Sequence, residues 1–304
     1  MSILLFLSNR EDLLEQFIQE SKEYFGEPLS IASFRYTDSE AICFYLGSED
    51  FGCKSPDSDI YTNTKQELLR LRNHFNEFKV DILLIDKFLD SKIASLFVFD
   101  MDSTLIREEV IDELARRNGK YDEVANVTKE AMEGGLSFNE ALHLRVKYLK
   151  GLPVTVFSDL YNNLNLNWGA AELLSNLKRE SLSKIAVLSG GFTPILELFS
   201  KDYAIDYYEA NHLTVDNATL TGEIHSGIVN KERKKDALLE LKEKFAIPSE
   251  QIVAVGDGAN DAEMLLAAEL GIGFHAKQGL KDKILNWIDH KSMEALMLLF
   301  GPSL

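Results

Sequence analysis

The 304-residue sequence predicts an α/β protein: a doubly wound, Rossmann-like parallel sheet with a helical cap insertion, preceded by a small α+β unit of ferredoxin-like build. Three observations lead there. Short apolar runs at 96–99, 185–188 and 252–255 precede helical patterns, as in a parallel sheet covered on both faces. Residues 107–167 carry only helical periodicity, broken at Gly119, Gly134–Gly135 and Gly151–Pro153, so they interrupt the alternation as an insertion. Residues 1–90 follow the order βαββαβ.

The first unit opens with a strand, Ile3–Leu7. The spacing of Leu13, Leu14, Phe17, Ile18 and Tyr24 marks a helix over Glu11–Phe25. Two strands, Leu29–Tyr36 and Ala41–Tyr45, flank a turn at Thr37–Glu40. A second amphipathic helix covers Lys65–Phe78, and strand Val80–Ile85 closes the unit. The polar stretch Gly47–Asn63 has no clear structure. Small regulatory ACT domains share this order, so residues 1–90 are expected to be a regulatory or interaction domain.

The second unit spans 91–304. After strand Leu96–Phe99 comes the helical insertion. Strand Ile185–Leu188 leads to a helix at Pro194–Phe199, and a hairpin is expected at His212–Ile224, turning at Asp216–Asn217. Helix Asp236–Phe245, strand Ile252–Val255 and helix Asp261–Leu270 complete the pattern.

Composition narrows the function. Hydrophobic residues make up 45% and charged residues 27%, enough to bury a core and remain soluble. A net charge of −17, spread over both units, repels a nucleic-acid backbone. Two cysteines, Cys43 and Cys53, are too few for a disulfide framework. The apolar run near the N-terminus is too short for a signal-peptide core, and no stretch reaches the ~20 apolar residues of a membrane helix. A reduced, cytoplasmic chain is expected, with neither nucleic acid nor membrane as partner.

Three strand ends carry the chemistry. Phe97-Val98-Phe99-Asp100-Met101-Asp102-Ser103-Thr104 ends a buried strand in two carboxylates, and ligands of open α/β sheets bind at that edge. Alone, such a pair is more often a turn than a site. Val187-Leu188-Ser189-Gly190-Gly191-Phe192-Thr193-Pro194 ends a strand in a hydroxyl and two glycines before a helix that Thr193 is placed to cap. Backbone N–H groups there suit an anion. Val255-Gly256-Asp257-Gly258-Ala259-Asn260-Asp261 supplies two more carboxylates, hard oxygen donors of the kind Mg²⁺ takes. The basic run Lys231-Glu232-Arg233-Lys234-Lys235 is ordinarily a solvated face, yet a site holding four acids and a phosphate dianion calls for a lysine.

In this order the motifs resemble the haloacid dehalogenase superfamily of phosphatases, and residues 97–290 resemble its phosphoserine phosphatase family. Further matches are Val127–Met132, Leu142–Val146 and Gly273–Lys277. The resemblance implies hydrolysis of O-phosphoserine to serine and phosphate, the last step of serine biosynthesis. Asp100 corresponds to the nucleophile and Asp102 to the general acid and base. Mg²⁺ is the implied cofactor, held by the Asp100 carboxylate, the Asp102 backbone carbonyl and the Asp257 carboxylate, with Asp261 in support. Ser189, the Gly190 N–H and Asn260 correspond to phosphate donors, with Thr104 and Gly191 supporting. Lys234 best matches the family lysine, and Lys231 and Lys235 compete with it. In the cap, Glu109 corresponds to the acid that holds the substrate ammonium, Arg145 to the guanidinium that takes its carboxylate, and Met132 and Phe138 to apolar cover. The charged pair Arg107–Glu108 departs from the family pattern. A homodimer is left open. The rival readings are a phosphatase or phosphotransferase for another small phosphomonoester, and a regulatory binding protein with an inactive site.

Overall fold

The computed structural model describes residues 2–8, 10–47, 51, 58–225 and 227–303. The first unit contains β1 (Ile3–Leu7), α1 (Leu14–Phe25), β2 (Ser30–Tyr36), β3 (Ser39–Tyr45), α2 (Asp59–Phe75) and β4 (Asp81–Ile85). Strand β5 (Leu96–Phe99) opens the second unit, followed by α3 (Val110–Arg117), α4 (Tyr121–Met132), α5 (Phe138–Lys147) and α6 (Val156–Tyr161). Next come α7 (Ala170–Glu180), β6 (Lys184–Phe192), α8 (Thr193–Asp202), β7 (Tyr207–Asn211) and the hairpin β8 (Leu213–Asp216) and β9 (Thr219–Ile224). The remainder is α9 (Lys231–Phe245), β10 (Ile252–Gly256), α10 (Ala262–Ala267), β11 (Leu270–Phe274), α11 (Gln278–Lys281), β12 (Asn286–Ile288) and an irregular 3₁₀ segment, Met293–Ser303.

The first sheet has the order β2-β3-β1-β4 with every pair antiparallel, the ferredoxin-like arrangement. Strands β1, β3 and β4 alternate between two buried faces, whereas the edge strand β2 is largely exposed. Leu4, Phe6, Ile42, Phe44, Ile82 and Leu84 pack with Phe17, Leu68 and Phe75 of the two helices. Ile3, Leu5, Leu7, Ala41, Cys43, Leu83 and Ile85 join the core of the second unit. Burial on both sides explains why β1 is apolar at every position. The apolar segment 293–300 packs against β2, β3 and α7, and the ring of Phe300 stacks on Phe97 with centroids 6.0 Å apart. The two sheets also meet edge to edge. The Asn286 side chain accepts from Leu84 N (2.7 Å) and donates to Leu84 O (2.9 Å), serving β4 as a strand partner would.

The second sheet is wholly parallel, in the order β12-β11-β10-β5-β6-β7. Its central strand is β5, flanked by β10 and β6. Several sequence expectations need correction. The turn before β3 shrinks to Thr37–Asp38, because Tyr36 pairs with Ser39 and Arg35 with Glu40. Helix α2 begins at Asp59, capped by the Ser58 hydroxyl, so Asp59–Asn63 is helix. The rest of the expected loop, Cys53 included, lies largely outside the described residues. Helix α9 starts five residues before the expected Asp236, where the Asn230 side chain accepts from Arg233 N. The last expected helix stops at Ala267, and Leu270 begins a strand whose two glycines, Gly271 and Gly273, mask its β character.

Candidate active site

Asp100 directly follows β5, Asp257 directly follows β10, and Ser189 lies in β6. Three neighbouring parallel strands therefore deliver these side chains to one carboxyl-end edge. The Asp100 N–H donates to Val255 O (2.9 Å), fixing the strand end against β10. Residues 101–105 then turn tightly, closed by Ile106 N to Met101 O (3.1 Å), with Ser103 in the left-handed region at φ 59°. That turn returns Asp102 to the site and launches the helical segment.

Lys234 is fully buried. Its Nζ donates to Asp100 Oδ1 (2.6 Å) and Asp261 Oδ1 (2.7 Å). Lys231 instead pairs at the surface with Glu263. Asp261 also accepts from Gly258 N at Oδ2 (3.0 Å) and from Asn260 Nδ2 at Oδ1 (3.2 Å). A Cβ on Gly256 would lie 2.6 Å from the Asp261 Cβ, so glycine is needed for Asp261 to sit over the strand end. Asp102 Oδ2 accepts from Val110 N (3.2 Å), whereas its Oδ1 is buried with no hydrogen-bond partner, as is Thr104 Oγ1. Gly191 backs this carboxyl; a Cβ there would come within 3.3 Å of Asp102 Oδ2.

Ser189 is fully buried and its Oγ accepts from Gly191 N (2.9 Å). The loop is braced by Asn211, which sequence reasoning missed. Its Nδ2 donates to Gly190 O (2.7 Å) and Gly191 O (3.2 Å), and its Oδ1 accepts from Val229 N (2.9 Å). Nothing in the sequence near Asn211 signals this, because its partners lie about twenty residues to either side. Thr193 does not cap α8: Phe192 occupies the cap position, and the Thr193 hydroxyl donates to Ala210 O (3.2 Å) and Asn211 O (3.3 Å).

The helical segment reaches the same edge. Glu109, at the N-cap position of α3, accepts at Oε1 from Ser103 Oγ (2.8 Å) and Lys277 Nζ (3.3 Å). The carboxylates of Glu109, Asp112 and Asp102 act on the Arg145 guanidinium, whose Nε also approaches Ala141 O (3.4 Å). Phe138 lies against Gly190, with Cζ 3.1 Å from where a Cβ would stand. Met132 ends α4 and is 80% exposed, with Gly134 in the left-handed region two residues on. Arg107 and Glu108 tie the two connections of the segment together. Arg107 N donates to Asn165 O (2.9 Å), and Asn165 Nδ2 donates to Glu108 Oε1 (2.7 Å).

Burial dominates the electrostatics. It pushes the Asp102 carboxyl well above the usual carboxylate range, and Glu109 and Asp100 add to the shift. Asp100 is raised by burial and by Asp261, against the opposing pull of Lys234. Asp257 rises to about 6, chiefly through burial, with Lys277 opposing. Burial lowers Arg145, and Glu109 resists that change. Carboxylate oxygens of Asp100, Asp257 and Asp261 lie within 4.8 Å of one another, all three residues buried. Hard oxygen donors so clustered fit a divalent cation. Asp261 already serves three donors, so Asp100 and Asp257 are the carboxylates left to ligate directly.

Among the described residues no helix is long and apolar enough to cross a membrane. The haloacid dehalogenase-like hydrolase family matches residues 94–269. The phosphoserine phosphatase of Archaeoglobus fulgidus is 43% identical over 213 residues, 70% of this chain; the match spans only 62% of that relative's length. The phosphoserine phosphatase of Lactococcus lactis is 41% identical over 198 residues, covering 65% of this chain and 91% of the relative. A crystal structure of a haloacid dehalogenase family hydrolase from Salmonella enterica serovar Typhi superposes over the full length of both chains, with a TM-score of 0.84 at 29% identity. With its motifs on three adjacent strand ends and a helical segment over them, the chain belongs to the haloacid dehalogenase-like hydrolases, in their phosphoserine phosphatase branch.

Proposed function

We propose that this chain hydrolyses O-phosphoserine to serine and phosphate through an aspartyl phosphate. The observation that carries the reading is the pairing of two unlike carboxyls at one strand end. Asp100 is held against the buried ammonium of Lys234, whereas Asp102 accepts only from the Val110 N–H and keeps one oxygen unpartnered. One is thereby suited to attack and the other to carry a proton.

The Asp100 carboxylate attacks phosphorus, forming an O–P bond as the bond to the serine oxygen breaks. Asp102 gives its proton to that departing oxygen. It then takes a proton from the water that attacks the aspartyl phosphate, which frees phosphate and restores Asp100. Lys234 holds the Asp100 oxygen in place throughout. Mg²⁺, held by Asp100, Asp257 and the Asp102 carbonyl, would neutralise phosphate charge. Ser189 and the Gly190 N–H receive phosphate oxygens, with Asn260 beside them. Glu109 takes the substrate ammonium and Arg145 its carboxylate. The division near residue 90 falls between the two sheets, and residues 1–90 serve as a regulatory or interaction domain. Two cysteines, too few for a disulfide framework, support a reducing cellular compartment.

The test compares kcat/KM for O-phosphoserine and para-nitrophenyl phosphate in the wild type and Arg145→Ala. Removing one partner of a desolvated charge pair costs on the order of 2–5 kcal/mol, roughly 30-fold to several thousand-fold. The loss is expected on phosphoserine alone. An equal loss on both substrates, or a wild type that prefers another phosphomonoester, overturns the assignment.

A further inference from the structure

One cation in the site has no role in that scheme. Lys277 Nζ lies 2.8 Å from Asp257 Oδ2 and 3.3 Å from Glu109 Oε1. It thus spans the carboxylate suited to a metal and the carboxylate suited to a substrate ammonium, joining the sheet edge to the helical segment. Its backbone N–H donates to Asp257 O (2.8 Å), and α11 starts at the next residue. The stem is therefore anchored, while the side chain stays 58% exposed and able to swing. Lys234 differs: it is sealed in the core and serves Asp100 and Asp261.

The positions of these two carboxylates set up a competition. A hard divalent ion takes carboxylate oxygens at about 2.0–2.1 Å. An ammonium in contact with the same Asp257 oxygen must give way to it. The same holds at Glu109 for an ammonium arriving on a substrate. We propose that Lys277 is a tethered counter-cation, holding Asp257 and Glu109 together in the ligand-free protein and yielding them to the metal and to the substrate ammonium. This rests on the reading of Asp257 as a metal ligand and Glu109 as the ammonium acceptor. Lys277 is a positioning residue in this role: it keeps the helical segment drawn to the sheet edge and weakens metal binding until substrate competes for Glu109.

The experiment is a calorimetric titration of Mg²⁺ into the metal-free full chain, with melting temperatures measured beside it. Lys277→Gln should lower the Kd for Mg²⁺ about 2- to 5-fold, the scale of one partly exposed ion pair, and should lower the melting temperature only without metal. Lys277→Arg keeps the charge and should restore both values. A lysine with a merely structural role would lower stability with and without Mg²⁺ and would not tighten metal binding. An unchanged or higher Kd in a folded Lys277→Gln protein overturns the proposal and leaves the phosphatase reading standing. A wild type that binds no Mg²⁺ defeats that reading's metal site, and this proposal with it.

Discussion

Replacing Lys234 by Met tests the electrostatic centre of the site. The methionine fills most of the volume but removes the ammonium that Asp100 Oδ1 and Asp261 Oδ1 contact at 2.6 and 2.7 Å. Lys234, Asp100 and Asp261 are all buried. Breaking a buried ion pair by deleting one partner costs about 3–5 kcal/mol, because the remaining charge cannot be solvated. At a few degrees per kcal/mol, the metal-free variant should melt on the order of 10 °C below the wild type at pH 9. The deficit should shrink at pH 6. Burial and Asp261 raise the Asp100 pKa to about 8 even with Lys234 opposing, and losing the lysine moves it higher, so at pH 6 the carboxyl is protonated with or without its counter-charge. The assay is thermal melting in a chelator at both pH values, with phosphate release in parallel. A variant as stable as the wild type at pH 9, or equally destabilised at both pH values, would refute the pairing as the source of the effect.

Three further outcomes are expected. Asp102→Asn retains an acceptor for the Val110 N–H but has no proton to give, so kcat should fall by about 10²–10⁴ while the melting temperature holds; a variant with wild-type turnover contradicts the acid role. In the metal-free protein, the raised Asp257 contributes stability in full below its ordinary value of 3.8 and loses it as pH rises through about 6. The stabilisation by Mg²⁺ should therefore grow between pH 5 and 7.5, since metal binding displaces that proton; a pH-independent melting shift would count against it. Asn211→Ala strands two carbonyls and an N–H of the Ser189 loop, at about 1–3 kcal/mol for each group left buried; raised KM for phosphoserine and para-nitrophenyl phosphate alike is the expected kinetic mark.

Much of this site could be read in the chain because its parts are local. Asp100 and Asp102, Ser189 to Gly191, and Asp257 to Asp261 each ride on one strand end, and a parallel sheet makes strand ends converge. Lys234 is harder to distinguish from its neighbours by residue type, and burial alone sets it apart. Asn211 and the bridging contacts of Lys277 depend on crossings between distant segments, which periodicity does not encode. Strands β7, β11 and β12 escaped for a related reason. Tyr207–Asn211 is polar at alternate places, Leu270–Phe274 contains two glycines, and Asn286–Ile288 is three residues long. Apolar residues 293–300 show no regular period because several surfaces at once surround them.

That last segment bears on how the protein is made. One face of the first sheet, including Ile3, Leu5, Ala41 and Leu83, belongs to the same cluster as Leu296 to Phe300. During synthesis the ribosome delivers β1 to β4 first and their cover far later. Contacts between such distant segments cannot reward early folding, since loop closure must come first. The emerging first unit can assemble its helical side from α1 and α2, but its other face waits, apolar and uncovered, while the second unit is still being translated. A nascent chain stalled before residue 293 should therefore hold a ferredoxin-like sheet that is sticky on one side, a natural client for a chaperone until the missing segment arrives.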